Sequence, residues 1–243
     1  MKMLLAGQWV DREKTIDVRD PFDDSLIDTV PAATDEDLET ALAAADAARG
    51  AARGLSTYER SQILLKTAAI VADNLEDFAT TIAREGSKTI NEARGEAKRC
   101  VNTLTISGEE AKRLLGETIP FDSFPGGESR RGHFERVPIG VVLAITPFND
   151  PLNLVAHKLG PAIAGGNTVV LKPATVTPLS ALKLTEAFVE AGLPAGVLQC
   201  ITGHGAVLGD ALVSDPRVRM VSFTGGVEAG ERIVSKAGLK KIG

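Results

Sequence analysis

The stretch FERVPIGVVLAITPFNDPLNLVAHKLGPAIAGGNTVVLKPATVTP, from Phe134 to Pro178, decides the fold. It holds two apolar, β-branched runs, Val141–Ile145 and Thr168–Leu171, and between them an amphipathic segment that starts at Pro151 and ends in Gly165-Gly166-Asn167. Runs that are apolar at every position suit strands buried on both faces, and a helix-length segment between them suits a crossover between parallel neighbours. Each run leads into a polar, proline-marked turn: Thr146-Pro147-Phe148-Asn149 after the first and Lys172-Pro173-Ala174-Thr175 after the second. Open parallel sheets bind ligands in the crevice beyond the carboxyl ends of their strands. Topology alone therefore sets Asn149 and Lys172 where chemistry is expected.

Downstream the alternation continues. A helix over about Pro178–Ala191 stops at Gly192-Leu193-Pro194, and Val197–Ile201 reads as a short buried strand. After Thr202-Gly203-His204-Gly205 come a short helix through Leu212, a strand Arg219–Phe223, the turn Thr224-Gly225-Gly226, a helix Val227–Lys236 and the start of a strand at Leu239–Ile242. This alternation predicts parallel pairing with right-handed crossovers.

Upstream the chain is mainly helical. Residues 3–10 and 26–30 read as short strands around a turn at Asp20–Asp24. Thr34 caps a helix whose Ala-rich run reaches Ala52, with Gly54 at its end. Ser56-Thr57-Tyr58-Glu59 fits a capping box opening a helix to about Ala72. Another helix covers Leu75–Arg84, stopped by Glu85-Gly86, and a long one runs from about Asn91 to Leu115. Pro120, Pro125, Gly126 and Gly127 predict extended structure with a loop over 117–132, either an arm toward another subunit or an ordinary surface loop.

The 243 residues are 44% hydrophobic and 24% charged, enough apolar sequence for a large α/β core. The net charge of −5, without a block of basic residues, argues against a nucleic-acid partner, whose phosphates need clustered Lys and Arg. The two cysteines, Cys100 and Cys200, are far apart, read as small buried hydrophobes and fit a reducing cytoplasm. The three histidines (133, 157, 204) and the cysteines lack metal-ligand spacing. The MKMLLAG start is too short for a signal peptide and no apolar run reaches membrane length, so no membrane partner is expected.

Phe223-Thr224-Gly225-Gly226-Val227 is a strand end, a glycine turn and a helix start, where bare backbone N–H groups favour a pyrophosphate. An ordinary strand–helix turn has the same sequence, and neither this motif nor Gly203-x-Gly205-x3-Gly209 matches the G-x-G-x-x-G fingerprint. Lys172 could bind ribose or phosphate oxygens, or stand solvated at a loop mouth. Asn149 could donate to a developing oxyanion or stabilise its turn. His157, inside the crossover helix, reads as a hydrogen-bonded structural histidine rather than a general base.

Taken together, ERVPIGVV, ITPFNDP, NTVVLKPA, EAGLPAGV and FTGGVEAG, in this order and spacing, resemble the NAD(P)-dependent aldehyde dehydrogenase superfamily. The resemblance extends to the AGQWV and ER-x-x-x-L segments near the start and covers nearly the whole chain. EAKR at Glu96–Arg99, GETIPFD and ITGHGAVLGD resemble the branch of non-phosphorylating glyceraldehyde-3-phosphate, lactaldehyde and phosphonoacetaldehyde dehydrogenases. The fold implied is α/β: a Rossmann-like parallel sheet with flanking helices, an N-terminal helical layer (1–116), an extended arm with an oligomerisation role (117–136) and a dinucleotide-binding core (137–243). The resemblance implies Asn149 as the oxyanion-hole amide. Ile145, Thr146, Pro147 and Phe148 would line the nicotinamide side. Lys172 would meet the adenosine ribose or its phosphate, and Gly205, Phe223, Thr224, Gly225 and Gly226 the rest of the dinucleotide. Arg99, joined by His157, would face the substrate channel, where a guanidinium suits an anionic group. The complete enzyme would oxidise a small anionic or hydroxylated aldehyde and form a homodimer or homotetramer.

Three departures qualify that resemblance. Thr175 stands where many NAD-specific members carry a Glu that repels a 2′-phosphate, so NADP is admissible beside NAD. Gly226 replaces a more usual Ser. The family's general-base Glu and nucleophilic Cys are absent from these residues, which implies a cofactor-binding portion that is inactive alone, with the catalytic domain missing; Cys200 matches a buried strand of the cofactor domain, not the nucleophile. A non-catalytic nucleotide-binding module and the acyl-CoA or semialdehyde reductase branch are the alternatives.

Overall fold

The structure, a computed structural model, describes residues 1–243. Four strands open the chain: β1 (Met3–Leu5), β2 (Gln8–Val10), β3 (Thr15–Arg19) and β4 (Leu26–Pro31). Five helices follow: α1 (Asp35–Ala47), α2 (Arg49–Gly54), α3 (Thr57–Asp73), α4 (Leu75–Gly86) and α5 (Ile90–Ala111). The short strands β5 (Glu117–Ile119) and β6 (Gly132–Phe134) form an antiparallel ribbon. The remaining elements are β7 (Val141–Ile145), α6 (Asn153–Ala164), β8 (Thr168–Lys172), α7 (Leu179–Glu190), β9 (Leu198–Cys200), α8 (Gly205–Ser214), β10 (Val218–Phe223), α9 (Val227–Ala237) and β11 (Lys241–Ile242).

The main sheet runs β11-β10-β7-β8-β9-β1-β2. Strands β7 to β11 pair in parallel, as the alternating pattern predicts. From β7 the chain steps through β8 to β9, then crosses back to add β10 and β11 on the other side of β7. The order therefore reverses between β7 and β10, which makes their carboxyl ends the switch point of the sheet.

Because the crossovers diverge there, the helices divide between the two faces. Helices α6 and α7 pack beneath α3, α4 and α5 in a core of 38 buried residues, including Leu64, Ile82, Leu104, Leu159 and Phe188. The opposite face, under α1, α8 and α9, holds a smaller core of 17, with Leu42, Val170, Leu212 and Val221. Thr34 caps α1 and the capping box at Ser56 forms, as the sequence implies; the Thr34 cap is itself a box with Asp37, and Thr89 adds another at the start of α5. No helix is long and apolar enough to cross a membrane.

Four local readings change. Residues 3–10 make a hairpin rather than one strand, because Ala6 (φ 49°) and Gly7 (φ 79°) both take left-handed backbone, the geometry of a two-residue turn that follows strand twist. That hairpin joins the sheet through β1, antiparallel to β9, so the sheet is mixed at this edge. Strand β4 pairs with β3, whose five residues the sequence reading passed over. The Ala-rich helix breaks at Ala48, whose methyl lies 3.1 Å from the place a Cβ on Gly196 would take.

Candidate functional site

At the switch point lies a cavity of about 370 Å³, bounded by Ile145, Lys172, Gly205, Asp210, Phe223 and Arg232. Four of these, Ile145, Lys172, Gly205 and Phe223, are residues the sequence singled out. Helices α8 and α9 both begin here, and neither start carries a side-chain cap. Their first-turn N–H groups are thus open beside the cavity, a setting that favours anions. The turn into α9 is closed over by the Phe223 ring: a Cβ on Gly225 would lie 2.5 Å from Cζ of that ring. Thr224 ties the turn to the neighbouring strand, its N–H donating to the Ile145 carbonyl at 3.2 Å. Gly226 lies exposed immediately before the helix.

Two lysines point their charge into this end of the sheet. Lys172 is 4% exposed rather than solvated at a loop mouth; its Nζ donates to the Pro173 carbonyl at 2.9 Å and reaches no carboxylate. Desolvation pushes its ammonium down to about 8. Gly205 borders that head group: a Cβ there would stand in ordinary contact, 3.9 Å from Nζ. Lys158, on α6, is 7% exposed and donates to Thr224 Oγ1 at 2.8 Å and Ser222 Oγ at 3.4 Å. Burial pushes it too down to about 8. The sequence reading missed Lys158. Its signal was present: it stands three residues after Val155 and four before Ala162, on the helix stripe that is buried.

The turn after β7 is held from the helical layer. Thr146 is buried, Pro147 half-buried, and Phe148 and Asn149 exposed. Phe148 faces a separate depression of about 490 Å³ with Val176 and Thr177, so the four residues of this turn do not share one cavity. Next to Asn149, Asp150 accepts from Lys88 Nζ and, at 3.0 Å, from Arg99 Nη2. Burial alone would raise the Asp150 carboxyl, but Lys88 and Arg99 together hold it below the usual carboxylate range. Lys88 also donates to buried Glu96 at 2.7 Å. Glu96 in turn accepts the N–H groups of Leu152 (2.9 Å) and Asn153 (3.0 Å), closing the start of α6. Glu85 does the same for α7, accepting from Leu179 (2.7 Å) and Ser180 (2.8 Å). Desolvation pushes Glu85 up to about 7 against those two donations.

Other readings are adjusted by position. Thr175 is half-buried, and its hydroxyl donates to the Gly203 carbonyl at 3.0 Å, joining the turns after β8 and β9. His157 is exposed on α6 and its imidazole makes no hydrogen bond, so it is not the structural histidine the sequence suggested: it falls on the solvent side of the helix whose neighbours Ala156 and Lys158 are buried. Cys100 and Cys200 are fully buried, and desolvation raises both thiols, Cys200 to about 12, which suits neither to act as a thiolate.

The profile of the aldehyde dehydrogenase family matches residues 9–243. The chain is 50% identical over 230 residues to aspartate-semialdehyde dehydrogenase 1 of Pseudomonas canavaninivorans, covering 95% of this chain and 49% of that protein. It is 48% identical to the 3-sulfolactaldehyde dehydrogenase of Priestia aryabhattai, over 99% of this chain and 50% of that one. Among solved structures, the NADP-dependent glyceraldehyde-3-phosphate dehydrogenase of Bacillus halodurans, crystallised with NADP, superposes with a TM-score of 0.96 at 38% identity, covering 99% of this chain and 51% of that one. The chain thus spans about half the length of the curated relatives it matches. On the profile match and these identities, the chain belongs to the aldehyde dehydrogenase family.

Proposed function

We propose that the complete protein oxidises a small anionic or hydroxylated aldehyde to the carboxylic acid with NAD or NADP, and that these residues supply its dinucleotide site and one oxyanion donor. One observation carries the reading. Two uncapped helix starts and buried Lys172, which has no carboxylate partner, border one cavity at the switch point, and Lys158, also without a carboxylate, donates to the Thr224 hydroxyl in the adjoining turn. A bound dinucleotide would supply the hydride acceptor; the chain's part is to hold and orient it. Its pyrophosphate fits the turn Thr224-Gly225-Gly226, and its ribose the neighbourhood of Lys172 and Thr175. Thr175 is neutral and already hydrogen-bonded, so it leaves a 2′-phosphate unopposed, which admits NADP.

Asn149 is exposed at the end of β7, and the Asp150–Lys88–Glu96 chain fixes the backbone on its far side. An exposed side-chain amide at that place can donate to an oxygen that gains charge. Arg99, tethered to the residue after Asn149 through one guanidinium nitrogen, keeps further donors for an anionic group on the substrate. A thiolate nucleophile and a general base are needed in addition, and neither Cys100 nor Cys200 suits the first role.

The test is NADPH binding to the 243-residue chain, followed by calorimetry. Saturable one-site binding is expected, weakened at least about tenfold in both Lys172→Met and Gly225→Val, in line with loss of one charge-assisted bond or of a close backbone approach. Unchanged affinity in both variants would remove the proposed site.

A further inference from the structure

Strand β8 carries functional-looking groups at both ends. Lys172 ends it at the switch point; Thr168 begins it, roughly 13 Å away for four strand steps. Around Thr168 lies a second pocket, about 300 Å³, walled by Asp46, Arg49, Arg53, Pro138, Gly166 and Thr168. Two more guanidinium side chains crowd the same turns. Arg60 Nη1 lies 2.8 Å from where a Cβ on Gly166 would sit, and the Arg219 stem lies 3.1 Å from the equivalent point on Gly140, with Arg49 Nε at 3.5 Å. Glycine at 140 and 166 is what lets these side chains close on the strand ends.

The charge is lopsided. Arg49 pairs with Asp46 at 3.1 Å, but Arg53, Arg60 and Arg219 have no carboxylate partner. Arg49 and Arg53 stand four residues apart on α2, so their forks share one helix face. Thr168 gives an independent sign. It is fully buried, and its hydroxyl has no hydrogen-bond partner. Thr168 shares its strand face with Val170, which packs in the core under α1, so this face of β8 is the one turned toward the α1–α2 side of the pocket. A buried hydroxyl without a partner is costly unless something else completes it.

We propose that this pocket binds a phosphate group, with Arg49 and Arg53 as its fork, Arg60 and Arg219 as flanking charge and the Thr168 hydroxyl as a neutral donor. Free phosphate and a small phosphate monoester share this chemistry. The site stands apart from the switch-point cavity and does not depend on what that cavity binds.

The experiment is a titration of the ¹⁵N-labelled chain, first with inorganic phosphate and then with glycerol phosphate, against sodium chloride at matched ionic strength. The expected result is that the amides of Gly50, Gly140, Gly166 and Thr168 shift together with one dissociation constant. Arg53→Ala should weaken it about tenfold, and Thr168→Val, which keeps the side-chain shape, about threefold, as for loss of a charged and a neutral hydrogen bond. Tighter binding of one ligand names the source. The proposal is overturned if chloride produces the same shifts, if only residues 203–210 and 224–230 respond, or if both variants titrate like the parent chain.

Discussion

Four helices leave the carboxyl ends of the parallel strands, and they begin in two ways. Helices α6 and α7 are closed: a buried glutamate from the helical layer accepts two N–H groups at each start, Glu96 for α6 and Glu85 for α7. Helices α8 and α9 are open, with no side chain hydrogen-bonded to their first N–H groups. The buried cations follow the same division. Lys88, beside the closed start of α6, is bracketed by Glu96 and Asp150, and despite its desolvation these two carboxylates hold its ammonium above the usual range. Lys158 and Lys172, beside the open starts, have no carboxylate, and desolvation lowers both. One region satisfies its charges internally and gains rigidity. The other leaves donors and positive charge uncompensated, which is the condition a dinucleotide's phosphates would relieve.

Breaking the closed side should have the largest effect. Glu96→Ala strips the start of α6 of its acceptor and Lys88 of one of its two partners, both in a buried setting. Removing one member of a buried pair costs about 3–5 kcal/mol, and urea unfolding should show a loss of that order. Glu96→Gln, which keeps one carbonyl acceptor, should lose less. A cost below about 1 kcal/mol for Glu96→Ala would mean that water closes this helix start as well as the glutamate does, and the contrast with α8 and α9 would collapse.

What the sequence disclosed follows the same line. The runs Val141–Ile145 and Thr168–Leu171 were legible because a strand buried on both faces is apolar at every position, and the structure pairs them in parallel without a register shift. Lys172, Gly205, Gly225 and Asn149 were legible because each stands in a turn marked by proline or glycine. The closing glutamates were not legible: Glu85 meets Leu179 across 94 residues and Glu96 meets Leu152 across 56, and no local pattern encodes a cap that distant. Glu85 was instead read as part of a helix stop. Lys158 was passed over although its neighbours Val155 and Ala162 mark its stripe as buried, since a lysine in an amphipathic segment is ordinarily solvated. The turn at Ala6-Gly7 escaped because alanine seldom takes positive φ. The arginine pocket draws on 49–60 and 219, which only the crossed-back strand order brings together.

The open side should respond in the opposite direction. Lys172→Met removes a buried ammonium that has only the neighbouring Pro173 carbonyl as acceptor, so it should stabilise the chain at pH 7 by about 2–3 kcal/mol. The pH dependence fixes the cause. In the folded chain Lys172 loses its proton near 8, while the unfolded chain keeps it to about 10.4. Between those values the unfolded state binds more protons, so the parent's stability rises with pH and its deficit against Lys172→Met should shrink across that window; below 8 the deficit should be constant. A deficit independent of pH up to 10.5 would assign the gain to packing instead of charge.

The smallest effect isolates burial from geometry. Arg94 and Glu76 make a two-pronged pair between α4 and α5, with Arg94 Nε at 2.9 and 3.1 Å and Nη2 at 2.9 Å from the carboxylate. Its distances are close to the 2.7 Å of Lys88–Glu96, and it joins the same helical layer. It differs in exposure: the Arg94 and Glu76 side chains are 41% and 64% exposed, against 20% and 0% for Lys88 and Glu96. Water and salt screen an exposed pair and solvate either partner when the other is lost, so Arg94→Ala should cost no more than about 0.5 kcal/mol, less still at high salt. Measured beside Glu96→Ala by urea unfolding, this variant separates the two causes. If it costs as much as the buried glutamate, pairing geometry alone sets the strength of these links. If it costs little, the closed helix starts are strong because they are dry, and the same dryness makes Lys158 and Lys172 unstable without a ligand.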